Sequence, residues 1–162
     1  MITIAVLQNF RETLDFDILD IVLYASCKYE LLVPDCGVAR RELRCDVCVA
    51  SPGWSGSAGI GGAILVSPYG AGGFVSGARE VVTYGMHPRA SVSFSSLGFS
   101  EYMLEVRREV VTCENRSLWE AEFPVPRVRD FESGLAKYAA LLAAGVLPGD
   151  AARIYSGGDA YR

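Results

Sequence analysis

Ile2-Thr3-Ile4-Ala5-Val6-Leu7 is an almost unbroken apolar run, the pattern of a parallel strand covered on both faces rather than a hairpin strand wet on one side. It predicts the first core strand of an α/β fold. After a polar linker from Gln8 to Asp17, Ile18-Leu19-Asp20-Ile21-Val22-Leu23-Tyr24-Ala25 predicts a second strand. Lys28 to Val33 runs up to Pro34, which breaks it, and Asp35-Cys36-Gly37 has turn chemistry. Val38 to Leu43 then predicts a short helix exposing Arg40, Arg41 and Glu42, followed by a buried strand over Cys45-Asp46-Val47-Cys48-Val49-Ala50. The clearest strand further on is Glu80-Val81-Val82-Thr83-Tyr84-Gly85. It ends at a glycine, at the strand end where open α/β sheets gather ligands. Together these segments predict a mostly parallel, Rossmann-like sheet over residues 1–85.

Between them lies a change of composition. Nine of the 17 glycines fall between Gly53 and Gly77, around the apolar segment Ala63-Ile64-Leu65-Val66-Ser67. This predicts a glycine-rich excursion, largely flexible loop, around one short strand or hairpin. Neither nucleotide fingerprint fits Gly56-Ser57-Ala58-Gly59-Ile60-Gly61-Gly62. A Walker loop needs a lysine before Ser or Thr, and no lysine occurs between Lys28 and Lys137. A dinucleotide loop should open a helix, whereas a β-type run follows Gly62.

Beyond Gly85 the period changes. Ala90-Ser91-Val92-Ser93-Phe94-Ser95, Tyr102 to Arg107 and Trp119 to Val125 alternate apolar with polar residues, which predicts a small antiparallel sheet with Glu105, Arg107, Glu120 and Glu122 in water. Leu97 to Ser100 and Cys113 to Ser117 read as its turns. Phe131, Leu135, Tyr138, Leu142 and Val146 then form one apolar stripe at helical spacing. Asp130 reads as its N-cap, Gly145 as its C-cap region, and Pro148 bars continuation. The tail from Asp150 to Arg162 is expected to fray.

With 162 residues, 51% of them hydrophobic, the chain can bury one core, so a single domain over 1–162 is expected, its second half spanning 86–162. No apolar run approaches the roughly 20 residues of a membrane-spanning helix. The N-terminus lacks the basic region and cleavage site of a secretory signal, which predicts a cytoplasmic protein with no membrane partner. A net charge of −4 has the wrong sign for nucleic acid. The single histidine rules out His-pair metal sites, and neither a metal nor a cofactor is expected. Cys27, Cys36, Cys45, Cys48 and Cys113 are an odd set that reads as free thiols. The Cys45–Cys48 pair has the spacing of a zinc half-site or redox pair, but its place in a buried strand favours small core residues.

Two segments concentrate chemistry. Tyr84-Gly85-Met86-His87-Pro88-Arg89 unites a phenol, the lone imidazole and a guanidinium at a strand end. His87 there is either a general base, with Ser91, Ser93, Ser95 and Ser96 close by in sequence, or a turn histidine bonded to nearby backbone. Asp35-Cys36-Gly37-Val38-Ala39-Arg40-Arg41-Glu42-Leu43-Arg44 offers three arginines in five positions. They suit a carboxylate or phosphate bound bidentately, and Cys36 would be acidified if it stands near a helix start.

The order of elements from about Val81 to Val146 resembles the second half of the central domain of Mur ligases, the ATP-dependent enzymes that extend peptidoglycan precursors. The resemblance rests on a core strand ending in Thr83-Tyr84-Gly85, strands at Ala90-Ser91-Val92 and Tyr102-Met103-Leu104-Glu105-Val106, Phe123-Pro124-Val125, and an alanine-rich helix from Leu135-Ala136 to Ala143-Ala144-Gly145-Val146. It implies a remnant without the ATPase apparatus, because the phosphate-binding loop is absent and Ser133-Gly134-Leu135-Ala136 stands where the family has an Asn-containing motif. The whole chain also resembles a group of short uncharacterised bacterial proteins, through segments such as Leu32-Val33-Pro34-Asp35-Cys36-Gly37. That second resemblance implies no activity, and against that group the stretch from Gly56 to Gly77 looks like an insertion.

The expectation that follows is a non-catalytic or regulatory domain binding an anionic small molecule or a protein partner. Its site would use Asp35, Arg40, Arg41, Tyr84, Gly85 and Arg89. The rival is a small transferase or hydrolase using Cys36 or His87 and acting in cell-wall precursor metabolism. A third reading is a homodimer formed through exposed apolar surface.

Overall fold

The computed structural model describes residues 1–8, 29–32, 42–70 and 73–146. The segments Ile18–Ala25, Asp35–Arg41 and Asp150–Arg162 lie outside the described residues. Strand β1 (Ile2–Leu7) pairs in parallel with β2 (Tyr29–Leu32) on one side. The chain then enters β3 (Glu42–Leu43), a strand where the short helix was expected to end, and β4 (Val47–Ala50), which lies parallel to β1 on its other side. All four residues of β4 are buried. A strand sandwiched on both faces requires apolar residues at consecutive positions, which is what its sequence supplies.

The glycine-rich stretch is not a loop excursion. It contains β5 (Ser57–Ile60), β6 (Ile64–Pro68) and β7 (Phe74–Ser76), and it leads into β8 (Glu80–Tyr84). Successive strands alternate between two parallel sheets: β3, β5 and β7 form a small one, while β4, β6 and β8 join the large one. Stacked partners stand 17 residues apart, Glu42 against Gly59, Gly59 against Ser76, and Val47 against Ile64, shortening to 16 where Ile64 meets Glu80. Residues 42–84 are therefore three turns of a parallel coil. Glycine suits this because the two sheets close around Trp54, which is 9% exposed. A Cβ at Gly73 would lie 2.5 Å from the Trp54 ring, and one at Gly56 would lie 3.1 Å from it.

Most of the remaining strands extend the large sheet rather than forming a separate one; only a short two-stranded pair stands apart. After β8 come β9 (Val92–Leu97), β10 (Glu101–Val106), the short pair β11 (Val110–Val111) and β12 (Ser117–Leu118), and β13 (Ala121–Pro126). The β9–β10 and β10–β13 pairs are antiparallel. The eight-stranded order is β13-β10-β9-β8-β6-β4-β1-β2, mixed but mostly parallel, which makes the fold α/β. The wet face expected for the serines of β9 is only half present. Ser91 and Ser93 are buried, while Ser95 and Ser96 are exposed. Glu120 and Glu122 are exposed as expected, but Glu105 and Arg107 are half-buried and paired at 2.6 Å.

Helix α1 (Phe131–Ala143) covers the other face of the large sheet, across β4, β6, β8 and β9. Among the described residues the layers are thus helix, large sheet and small sheet. Ile4, Val47, Val49, Ile64, Val66, Val82 and Tyr84 point to the helix side. Ala5, Leu7, Cys48, Ala50 and Leu65 point to the small sheet and Trp54. Both ends of α1 are capped. The Asp130 carboxylate accepts from the Ser133 N–H at 2.9 Å. At the other end Val146 N–H reaches the Leu141 carbonyl and Gly145 N–H the Leu142 carbonyl, which is a Schellman closure. Asp130→Ala should therefore cost about 1 kcal/mol, read as a lowered thermal midpoint. An unchanged midpoint would mean that the cap contributes nothing to the packed helix. No helix of the described residues is long and apolar enough to cross a membrane.

Candidate functional site

In the parallel part of the large sheet, β6 and β8 end side by side, with Pro68 opposite Tyr84. The turn after β6 is fixed by the Tyr69 N–H, which donates to the Tyr84 carbonyl at 2.9 Å. The turn after β8 begins at Gly85, whose φ of +146° is a conformation that side chains resist. There the chain leaves the sheet and turns back, and Gly85 N–H donates to the Val92 carbonyl at 3.2 Å. These two turns bring Tyr69 and His87 together. Their rings stack at 4.2 Å between centroids with 13° between planes.

His87 is held from several sides. Its Nδ1 accepts the Arg89 N–H at 3.1 Å, and its carbonyl accepts from Ala90 N–H at 3.0 Å and from Arg107 Nη1 at 3.3 Å. With Nδ1 occupied as an acceptor, the proton of the neutral ring sits on Nε2. The imidazole therefore presents an N–H donor to its surroundings rather than a free lone pair. Arg107 is itself positioned by the carboxylate of Glu105 at 2.6 Å. Arg89 is exposed, and its guanidinium has no ion pair among the described residues.

The residues expected to form the site divide three ways. Gly85, His87 and Arg89 do stand together at a strand end. Tyr84 is 1% exposed, and its hydroxyl donates to the Ala50 carbonyl at 2.6 Å, so the phenol holds β8 against β4 instead of meeting solvent. Asp35, Cys36, Arg40 and Arg41 lie outside the described residues. The neighbouring serines do not complete a nucleophile–base pair with His87. Ser91 Oγ lies 3.1 Å from Thr83 Oγ1, and Ser93 Oγ lies 3.9 Å from the Met86 sulfur. Ser95 Oγ donates to Glu122 at 2.6 Å.

No protein-family model matches the chain, and no curated protein matches it. The functional reading therefore rests on the geometry of the two turns. Tyr69 is the residue sequence reasoning missed. Its signal was present: Pro68-Tyr69-Gly70 ends an apolar run just as Thr83-Tyr84-Gly85 does, and parallel neighbours place such ends side by side. Among the described residues no group of three or more His, Cys, Asp or Glu is placed to hold a metal.

Proposed function

We propose that the surface formed by Tyr69 and Gly85 to Arg89 binds a small anionic molecule carrying a phosphate or carboxylate, without transforming it. The observation that carries this reading is the Tyr69–His87 stack at the strand ends, which fixes an imidazole N–H donor beside the turn bearing the exposed Arg89. The large sheet is here treated as Rossmann-like in one respect, that ligands gather at the carboxyl ends of its parallel strands. A guanidinium adds charge-assisted, forked hydrogen bonds to such an anion. Arg40, Arg41 and Asp35 belong to the same reading as a second group of ligand contacts. The engagement of His87 Nδ1 by backbone supports binding over general-base catalysis.

The test is a thermal-shift panel on the reduced protein with inorganic phosphate, nucleoside diphosphates, UDP-sugar peptides and tricarboxylates. The Mur ligase resemblance puts the nucleotide ligands first. A ligand present at about 100 times its Kd adds about 2.7 kcal/mol and raises the midpoint by several degrees. Arg89→Ala keeps the backbone N–H that His87 accepts, so the ligand-free midpoint should hold while affinity falls about tenfold or more. A ligand whose affinity is unchanged in Arg89→Ala would remove this site from the reading. A flat panel would remove the small-molecule reading itself and leave a protein partner.

A further inference from the structure

The segment Cys45-Asp46-Val47-Cys48 sits apart from the strand-end site, where the chain passes from the small sheet into β4. Asp46 makes the bend. Its N–H donates to the Thr3 carbonyl at 2.9 Å, and its carboxylate accepts the Thr3 N–H at 2.8 Å, so both ends of the residue are tied to β1. Two residues flanking such a bend no longer diverge as they would along a straight strand. Cys45 packs against the buried cluster that contains Cys48, which brings the Cys48 thiol within hydrogen-bonding reach of the Cys45 sulfur. Both cysteines are free.

Their surroundings differ in the way a paired function needs. Cys45 is half-buried in the wall of an open cavity of about 430 Å³, shared with Thr3, Glu42, Arg44, Asp46 and Gly61. Cys48 is fully buried behind it, on the face that packs against the small sheet. The hydrogen bond from Cys48 pulls the Cys45 thiol below its ordinary pKa, against the opposing effects of burial and the Asp46 carboxylate. Cys48, as the donor in a buried position, is held far above its own. One sulfur thus stands at the cavity wall, inclined to lose its proton, and the other is hidden and keeps it. These are the properties of an attacking and a resolving thiol.

We propose that Cys45 and Cys48 form a redox-active dithiol whose substrate class is small-molecule disulfides admitted by the cavity. In the first step the Cys45 thiolate attacks one sulfur of the disulfide. The disulfide's S–S bond breaks, one thiolate leaves and takes up a proton, and a mixed disulfide forms on Cys45. In the second step Cys48 gives up its proton and attacks the Cys45 sulfur, expelling the second small thiol, which receives that proton. The protein loses two electrons and two protons, and one small disulfide becomes two thiols.

Trypsin separates the cysteines cleanly. Cleavage after Arg44 and Arg79 leaves Cys45 and Cys48 alone together in peptide 45–79, while Cys113 lies in peptide 109–116. Reduced full-length protein is exposed to glutathione disulfide at neutral pH, trapped with iodoacetamide, digested and weighed. Peptide 45–79 should come out two hydrogens lighter and unalkylated. Cys113, whose thiol burial raises and which donates to the Ala144 carbonyl at 3.5 Å, should be alkylated. In Cys48→Ser the reaction should stop at one glutathionyl group on Cys45, and Cys48→Ala provides the same test where serine disturbs the core. In Cys45→Ser, Cys48 should resist the disulfide. Full alkylation of both thiols in the wild type would overturn the proposal, as would a mixed disulfide that persists with Cys48 present.

Discussion

Trp54→Ala should be the most damaging single change, at about 3–5 kcal/mol. The indole fills the space between the large sheet and the small one, where it packs with Ala5, Leu7, Cys48, Ala50 and Ile60. Ala5, Cys48, Ala50 and Ala63 around it are too short to fill the void it would leave. With a urea slope of about 2 kcal/mol/M, the unfolding midpoint should fall by about 2 M. Trp119, 62% exposed on the surface, provides the control in identical chemistry, because its removal should change stability by no more than about 0.5 kcal/mol. The partner position sharpens the test. Gly73→Ala places a methyl 2.5 Å from the indole ring and should cost about 1–3 kcal/mol in the wild type. In a Trp54→Ala background the same methyl enters vacated space and should cost almost nothing. Additive losses in that double-mutant cycle would show that Trp54 and Gly73 do not share one cavity.

Leu142→Ala should come next, at about 2–5 kcal/mol. Leu142 is fully buried in the last turn of α1, within the cluster that joins the helix to the large sheet. The Schellman closure pins the backbone on either side of it, through Gly145 N–H to its own carbonyl and Val146 N–H to Leu141. The helix end therefore cannot slide inward to fill the gap. A loss well below 2 kcal/mol, measured by denaturant unfolding, would mean that α1 shifts on the sheet more freely than its caps suggest.

Parts of this fold were legible because they obey one local rule each. Val47-Cys48-Val49-Ala50 is apolar at every position because both of its faces are covered. Phe131, Leu135, Tyr138 and Leu142 recur at helical spacing along α1, although the helix proves buried at every position from Gly134 to Ala144 and not along that stripe alone. The coil over residues 42–84 obeys no rule at that scale. Its outer strands are two to four residues long and built partly from glycine and serine, which have poor or neutral strand preference. Its regularity appears only when the chain is laid against itself 17 residues on. Val47-Cys48-Val49 then falls on Ile64-Leu65-Val66, Gly53 on Gly70, and Gly56 on Gly73. A search for internal periods would have found it.

The candidate site was legible in the same uneven way. A strand end carrying Gly85, His87 and Arg89 could be read from a single segment. The stack with Tyr69 depends on which strand lies next to β8, and that is a property of the coil. The serines in and just before β9 misled because alternation was read as a wet face. At Ser91 the polar group is instead consumed internally, by Thr83 on the adjoining strand.

The coil also sets a limit on its own growth. Each added turn would contribute one more strand to the large sheet and one more apolar row needing cover on the side away from the small sheet. Among the described residues that cover is one helix of 13 residues, about 20 Å long at about 1.5 Å per residue. Four strands spaced at about 4.8 Å occupy nearly the same width, and within the large sheet α1 lies mainly across β4, β6, β8 and β9. The helix thus acts as a ruler for the sheet beneath it, and a longer coil would need a longer helix or a second one.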